Sequence, residues 1–276
     1  MARLDHLALI GFGEAGMAFA SEWDAPVRAW DIKTDDPATA AAKRADYARH
    51  HANGAETLGE ALAGAALVIS IVTADQALAA AEAAAACLAP GALYCDFNSV
   101  APATKQDAAA GIEAAGGRYV DVAVMSPVHP ARLAVPLLVS GPYAADAVAA
   151  LTGVGFSPVK VEGPVGRAAM IKMLRSVMVK GIEALTAECF LAARKAGVAG
   201  EVAASLNGGW PGVDWAARAD YNLGRIREHG VRRAAEMDEV AGTLDGLGLG
   251  SEMARATASV QRRLAGTAPT GASEAA

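Results

Sequence analysis

The narrowest constraint on the fold lies at the start of the chain. An apolar run, Leu7-Ala8-Leu9-Ile10, ends in Gly11-Phe12-Gly13-Glu14-Ala15-Gly16. Twenty positions after Gly11 a second short segment, Val27-Arg28-Ala29-Trp30, ends in Asp31. Strand, glycine turn, helix, strand and acid in that order form the pattern of a dinucleotide-binding unit. Gly11 permits the tight turn, Gly13 lets backbone N–H groups approach a pyrophosphate, and Gly16 lets the helix pack on the sheet. The pyrophosphate is expected at the positive end of the helix that starts near Glu14, against Phe12, Glu14 and Ala15. A carboxylate at Asp31 accepts hydrogen bonds from ribose hydroxyls and repels a 2′-phosphate, so the expected cofactor is NAD, with NADP less favoured.

Composition closes off other classes. The chain has 276 residues, 53% hydrophobic, and a net charge of −6. That balance argues against nucleic acid or an anionic membrane surface as partner. Cys87, Cys95 and Cys189 are too scattered for a disulfide framework, and no Cys/His spacing suits a metal. No signal peptide and no membrane span are recognised, so a cytoplasmic protein is expected.

Beyond Asp31 the chain alternates helix and strand. A charged helix is expected around 37–51, then a strand over Leu67–Val72, whose nearly continuous apolar run suits a parallel strand covered on both faces. A helix over 75–88, a strand over Leu93–Phe97 and a helix from Pro102 to near Gly116 follow. Strands over Tyr119–Val124 and Pro136–Ser140, a short helix from Ala144 and a last strand at Val159–Val161 complete the region. The alternation predicts a doubly wound, mostly parallel α/β sheet over residues 1–163. After Gly163-Pro164 the pattern turns helical: one long helix from Val165 to about Lys195, then helices broken at 207–212 and 246–250. Residues 164–264 are thus expected to form an all-α domain for substrate and dimer contacts, and 265–276 a disordered tail. Trp210, Trp215, Tyr221, Leu244 and Leu249 supply apolar surface for a homodimer.

The long helix carries the catalytic candidate, Lys172. With Ser176, Lys180 and Glu183 it forms one polar stripe at helical spacing. Apolar neighbours desolvate a lysine there, which suits it to exchange a proton with a substrate hydroxyl. The opposing reading of the stripe is a solvated face with Lys180 and Glu183 paired. Val72 ends its strand, and Asn98, Ser99 and Ser126 follow strand ends, where open α/β sheets bind ligands; each of these three polar residues also suits a turn or cap. His129 reads as a structural or solvated loop residue.

The order GFGEAG, CDFNSVAP, YVDVAVMSP…PLLVSG and GRAAMIKMLRS resembles the β-hydroxyacid dehydrogenase family, over residues 5–260. The resemblance implies an N-terminal Rossmann domain, a helical C-terminal domain joined by a long helix, and an active site between them. It implies Lys172 as the catalytic lysine, the segment from Asp121 to Pro127 as the substrate turn, and Asn98-Ser99 at the nicotinamide side. It implies a dimer or tetramer and a small substrate, a carboxylic acid. The sequence departs from the family at Met125-Ser126-Pro127, Ser176, Ala15 and around Glu236-Met237, which bears on the substrate more than on the cofactor. Arg232 and Arg233 suit a substrate anion or, equally, pairing with Glu236 and Glu239. The expected activity is NAD(P)-dependent oxidation of a small hydroxy acid, with Lys172, Ser126 and Ser176 at the reacting end. Alternatives are an imine reductase on the same scaffold and a non-catalytic nucleotide-binding protein.

Overall fold

The structure is a computed structural model and describes residues 6–267. It divides into two compact units, up to Lys172 and from Met173 onward.

The first unit is an α/β layer structure. Strands β1 (Leu7–Ile10), β2 (Val27–Trp30), β3 (Ala52–Gly54), β4 (Leu67–Ser70), β5 (Leu93–Asp96), β6 (Arg118–Val124), β7 (Leu137–Ser140) and β8 (Pro158–Lys160) form one sheet. Its order is β3-β2-β1-β4-β5-β6-β7-β8. All neighbours are parallel except β6 and β7. Helices α1 (Glu14–Ala20), α2 (Ala40–Arg49), α3 (Leu58–Leu62), α4 (Ala77–Ala85), α5 (Pro102–Ala114) and α6 (Ala144–Gly153) cover the two faces. Alternating residues feed separate cores: Leu7, Leu9, Ile69, Cys95 and Val122 pack on one face with Phe12, Phe19 and Phe156. Ala8, Ile10, Val68, Tyr94 and Tyr119 pack on the other with Leu62 and Ile112. Both faces are covered, which is why the strands read as unbroken apolar runs.

Several expected boundaries shift. The strand expected through Val72 ends at Ser70, and the helix expected over 75–88 is a 3₁₀ turn at Ala74–Gln76 followed by α4. The strand β3 and the helix α3 carry no sequence expectation, being three and five residues long, too short to show a period.

Helix α7 (Arg167–Lys195) has 29 residues and is the long helix expected. The second unit contains most of it, with α8 (Ala199–Gly209), α9 (Trp215–Gly246) and α10 (Glu252–Leu264). α9 and α10 approach closely at Gly230, where a Cβ would come within 2.4 Å of the Gln261 carbonyl oxygen. Of the expected tail, residues 268–276 lie outside the described residues. Among the described residues no helix is long and apolar enough to cross a membrane.

Candidate functional site

The three glycines of the first turn do different work. Gly11 has φ +90, and a Cβ there would lie 2.4 Å from the Ile71 carbonyl oxygen. A Cβ at Gly16 would lie 2.7 Å from the Gly11 carbonyl oxygen, so the helix start presses on the turn. At Gly13 a Cβ would meet nothing within 4 Å. The protein's own packing therefore does not require glycine at 13. Gly13 is also the N-cap of α1 and no side chain caps that helix start. The N–H groups at a helix start carry the positive end of the helix dipole, which attracts anions. Glu14 is exposed and Ala15 half-buried.

The turn is held from two sides. The Phe12 backbone N–H donates to Asp31 Oδ2 at 2.7 Å, and Lys43 Nζ donates to the Phe12 carbonyl at 2.7 Å. Asp31 Oδ1 accepts from the Lys33 N–H at 3.0 Å. Each carboxylate oxygen can accept a further hydrogen bond. Lys43, buried on α2 and also bound to Asp46 at 3.0 Å, was not expected from sequence.

At the carboxyl ends of β4 and β5, Asn98 is buried and its side chain hydrogen-bonds within the protein. Its Oδ1 accepts from the Val72 N–H at 2.6 Å and its Nδ2 donates to Ser70 Oγ at 3.1 Å. Asn98 thus ties the two strand ends together and sets the half-buried Val72 beside Gly11, whose Cβ position lies 2.8 Å from a Val72 methyl. Ser99, next along, is half-buried and accepts a hydrogen bond from Lys172 Nζ. The candidate lysine is therefore at the carboxyl edge of the sheet, the edge that also carries the glycine turn after β1. Ser126 is half-buried and its Oγ donates to the Pro127 carbonyl at 3.2 Å. His129 is exposed.

Asp121 lies inside β6 at full burial and not in the turn that follows the strand. Its Oδ2 accepts from the N–H groups of Gly166 and Ala169, each at 3.1 Å, so it caps the first turn of α7. Ser140 Oγ donates to the same oxygen at 2.9 Å and accepts from the Ala168 N–H at 3.0 Å.

In the second unit the expected solvated stripe is corrected. Ser176, Lys180 and Glu183 are all buried. Lys180 does not pair with Glu183: its Nζ lies 2.7 Å from Glu236 Oε2 and 3.3 Å from Ser176 Oγ. Glu183 instead accepts from Arg233, and Glu236 also accepts from Arg232. Helix spacing alone predicts the intrahelical pair; the α9 carboxylate and guanidinium outcompete it once the stripe is covered. Burial pushes the Lys180 amine below its ordinary range, Glu236 pulls it back, and Arg233 and Arg232 add to the lowering.

Residues 6–151 match the family described as the NAD binding domain of 6-phosphogluconate dehydrogenase, and residues 193–264 match a domain of unknown function, DUF1932. A conserved hypothetical protein from Sinorhizobium meliloti 1021 is 37% identical, with a TM-score of 0.73 over 95% of this chain and 88% of its own. A conserved protein of unknown function, described as structurally similar to 3-hydroxyacid dehydrogenases, is 27% identical, with a TM-score of 0.69 over 94% and 96%. The Mycobacterium tuberculosis 3-hydroxyisobutyrate dehydrogenase with L-serine shares the fold at 16% identity, with a TM-score of 0.73 over 93% and 92%. Comparison with curated proteins returned no match.

Proposed function

Because the chain belongs to the family built on the NAD binding domain of 6-phosphogluconate dehydrogenase, we propose that it is an oxidoreductase that moves a hydride between NAD(P) and a small hydroxy acid. Lys172 is its acid–base group. The observation that carries the reading is the bond from Lys172 Nζ to Ser99 Oγ at the carboxyl edge of the sheet. Ligands of open α/β sheets collect at that edge, where strand order reverses; here the reversal falls between β1 and β4.

The residues present fit the cofactor. Gly13 leaves room for the pyrophosphate, the α1 N-terminus has no side-chain cap, and Asp31 stands at the end of β2 for the ribose. Phe12, Glu14, Ala15, Gly11 and Gly16 shape that cradle, and Val72 with Asn98 closes its side. When bound, NAD(P) supplies the hydride acceptor. Lys172, as the free amine, accepts the hydroxyl proton while the carbinol C–H bond breaks, and returns it in the reverse direction. Ser99 accepts from the lysine and fixes its direction. Ser126 orients the acid, and Asn98 acts by holding Val72 and the Ser99 loop. NAD is favoured over NADP because the Asp31 carboxylate meets any 2′-phosphate with like charge.

We extend the reading to a homodimer. Leu174, Met178, Ile182 and Leu185 recur at helical spacing on α7 and are 40–64% exposed in the single chain. Such a stripe suits a second copy. Light scattering at micromolar concentration is expected to give twice the 27.9 kDa chain mass. The three cysteines are unpaired, which fits a reducing cytoplasm.

The test is a turnover screen with NAD and NADP over 3-hydroxyisobutyrate, L-serine and further hydroxy acids, with cyclic imines as the contrasting panel. Nicotinamide reduction on a hydroxy acid, lost in Lys172→Ala, is expected. Cofactor binding with turnover of imines alone, or of nothing, overturns it.

A further inference from the structure

We propose that Lys105 is a positioning residue for Lys172, joining the carboxylate that sets the Ser99 loop to the carboxylate that caps the helix bearing Lys172. The catalytic consequence rests on the reading of Lys172 given above; the positional one does not.

Lys105 lies on α5 and is 1% exposed. Burying an ammonium is costly unless its surroundings answer it. Its Nζ donates to the Asp96 carbonyl at 2.7 Å and lies 3.1 Å from Asp96 Oδ1 and 3.6 Å from Asp121 Oδ1. Asp96 and Asp121 are register partners on β5 and β6, so two buried carboxylates face each other across one strand spacing. Asp121 Oδ1 makes no hydrogen bond and has Lys105 facing it.

Each carboxylate holds one half of the candidate site. Asp96 Oδ1 accepts from the Asn98 N–H at 2.8 Å, and its Oδ2 accepts from the Tyr119 hydroxyl at 2.6 Å. That fixes the start of the loop on which Ser99 sits. Asp121 Oδ2 takes the first-turn N–H groups of α7, ending at Ala169, three residues before Lys172. The loop and the helix then meet in the bond from Lys172 to Ser99. Without the ammonium, the facing carboxylates repel. Either the helix cap or the loop anchor must then give way, and the meeting point moves. A shift of about 1 Å in a reacting group can cost on the order of 10²-fold in rate.

Lys105→Met keeps the length and apolar stem and removes the charge. The first readout needs no substrate: trace acylation of Lys172 by acetic anhydride, read by peptide mass spectrometry as a ratio to the exposed Lys33 in the same sample. Lys105→Met is expected to change that ratio several-fold, in the same direction as Ser99→Ala. Added to Ser99→Ala, it should change the ratio less than about twofold further, because coupled residues are non-additive. A residue that only fills space lowers the melting temperature and leaves the ratio alone, and that result, or full additivity, overturns the proposal. If Lys105→Met does not fold, Asp121→Asn, which keeps the size and one acceptor, is expected to shift the ratio likewise, and an unchanged ratio there counts against the proposal equally. The second readout is kcat on the best hydroxy acid of the panel. Lys105→Met should lower it at least tenfold, and should lower it no further in a Lys172→Ala background. Wild-type turnover in Lys172→Ala alone removes the catalytic reading of Lys172, while the acylation ratios still decide the role of Lys105.

Discussion

Lys172 and Lys180 stand on one helix, yet the stretches around them are built differently. Around Lys172 backbone groups share in answering the charges: Asp121 takes the N–H groups of Gly166 and Ala169, and Lys105, between the Asp96 and Asp121 carboxylates, also donates to the Asp96 carbonyl. Lys172 itself is half-buried and donates to a hydroxyl. Around Lys180 side chains answer side chains: Lys180 with Glu236, Arg233 with Glu183, Arg232 with Glu236. Lys180 has the depressed amine, and Glu236 and Ser176 already engage it. Perturbed ionisation is thus no sufficient mark of a catalyst, since structural ion pairs perturb it too. What marks Lys172 is its bond to Ser99 at the carboxyl edge of the sheet, not its burial.

The largest effect should come from breaking the second cluster. Glu236→Ala leaves the Lys180 ammonium buried without its carboxylate, at a cost of about 3–5 kcal/mol read from the urea midpoint. A loss below about 1 kcal/mol would place the pair among surface-type bridges. The same cluster has a pH signature. The folded Lys180 pKa lies below its ordinary 10.5, so between the two values the unfolded chain binds more protons. The cost of the charged lysine is fully present below the folded pKa, and stability should climb as pH rises from there toward 10.5. Lys180→Met should lack that climb.

Next in size is the contrast within the glycine turn. Gly11→Ala should destabilise by about 2 kcal/mol or more, from its positive φ and the contact with Ile71. Gly13→Val should leave the melting temperature nearly unchanged and weaken NAD binding at least tenfold, about 1.4 kcal/mol. Equal cofactor affinity in wild type and Gly13→Val, by titration calorimetry, would remove the pyrophosphate from that turn.

That turn was legible in the sequence because its geometry is local: a positive φ, a close approach and an acid one strand away are all written within a short stretch. The long helix was legible for the same reason, since its period runs without a break from Arg167 to Lys195. The Asp96–Lys105–Asp121 cluster was not, because strand register and not spacing brings it together. Its signals were present nonetheless. Lys105 shares a buried helix face with Ala108, Ala109 and Ile112, and both aspartates interrupt fully buried strands. A charged residue inside an apolar period announces a partner without naming it. The solvated-stripe expectation for Lys180 and Glu183 failed because a helix's own pairs say nothing of what a second helix brings.

The smallest expected effect concerns cofactor choice. Wild type should bind NAD about tenfold more tightly than NADP, from the like charge of Asp31 and a 2′-phosphate in a partly desolvated site. Lys33, two residues on and exposed, works against that preference. Tighter binding of NADP would reassign Asp31 to holding the Phe12 and Lys33 N–H groups.

The comparison of the two lysines comes down to single-turnover rates on a hydroxy acid with saturating cofactor, for Lys172→Ala and Lys180→Ala side by side. Lys172→Ala should lower the hydride-transfer rate by about 10²–10⁴. Lys180→Ala, in protein verified as folded, should be much milder. The reverse pattern would make Lys180 the acid–base group, and near wild-type rates in both would leave the chain without a catalytic lysine.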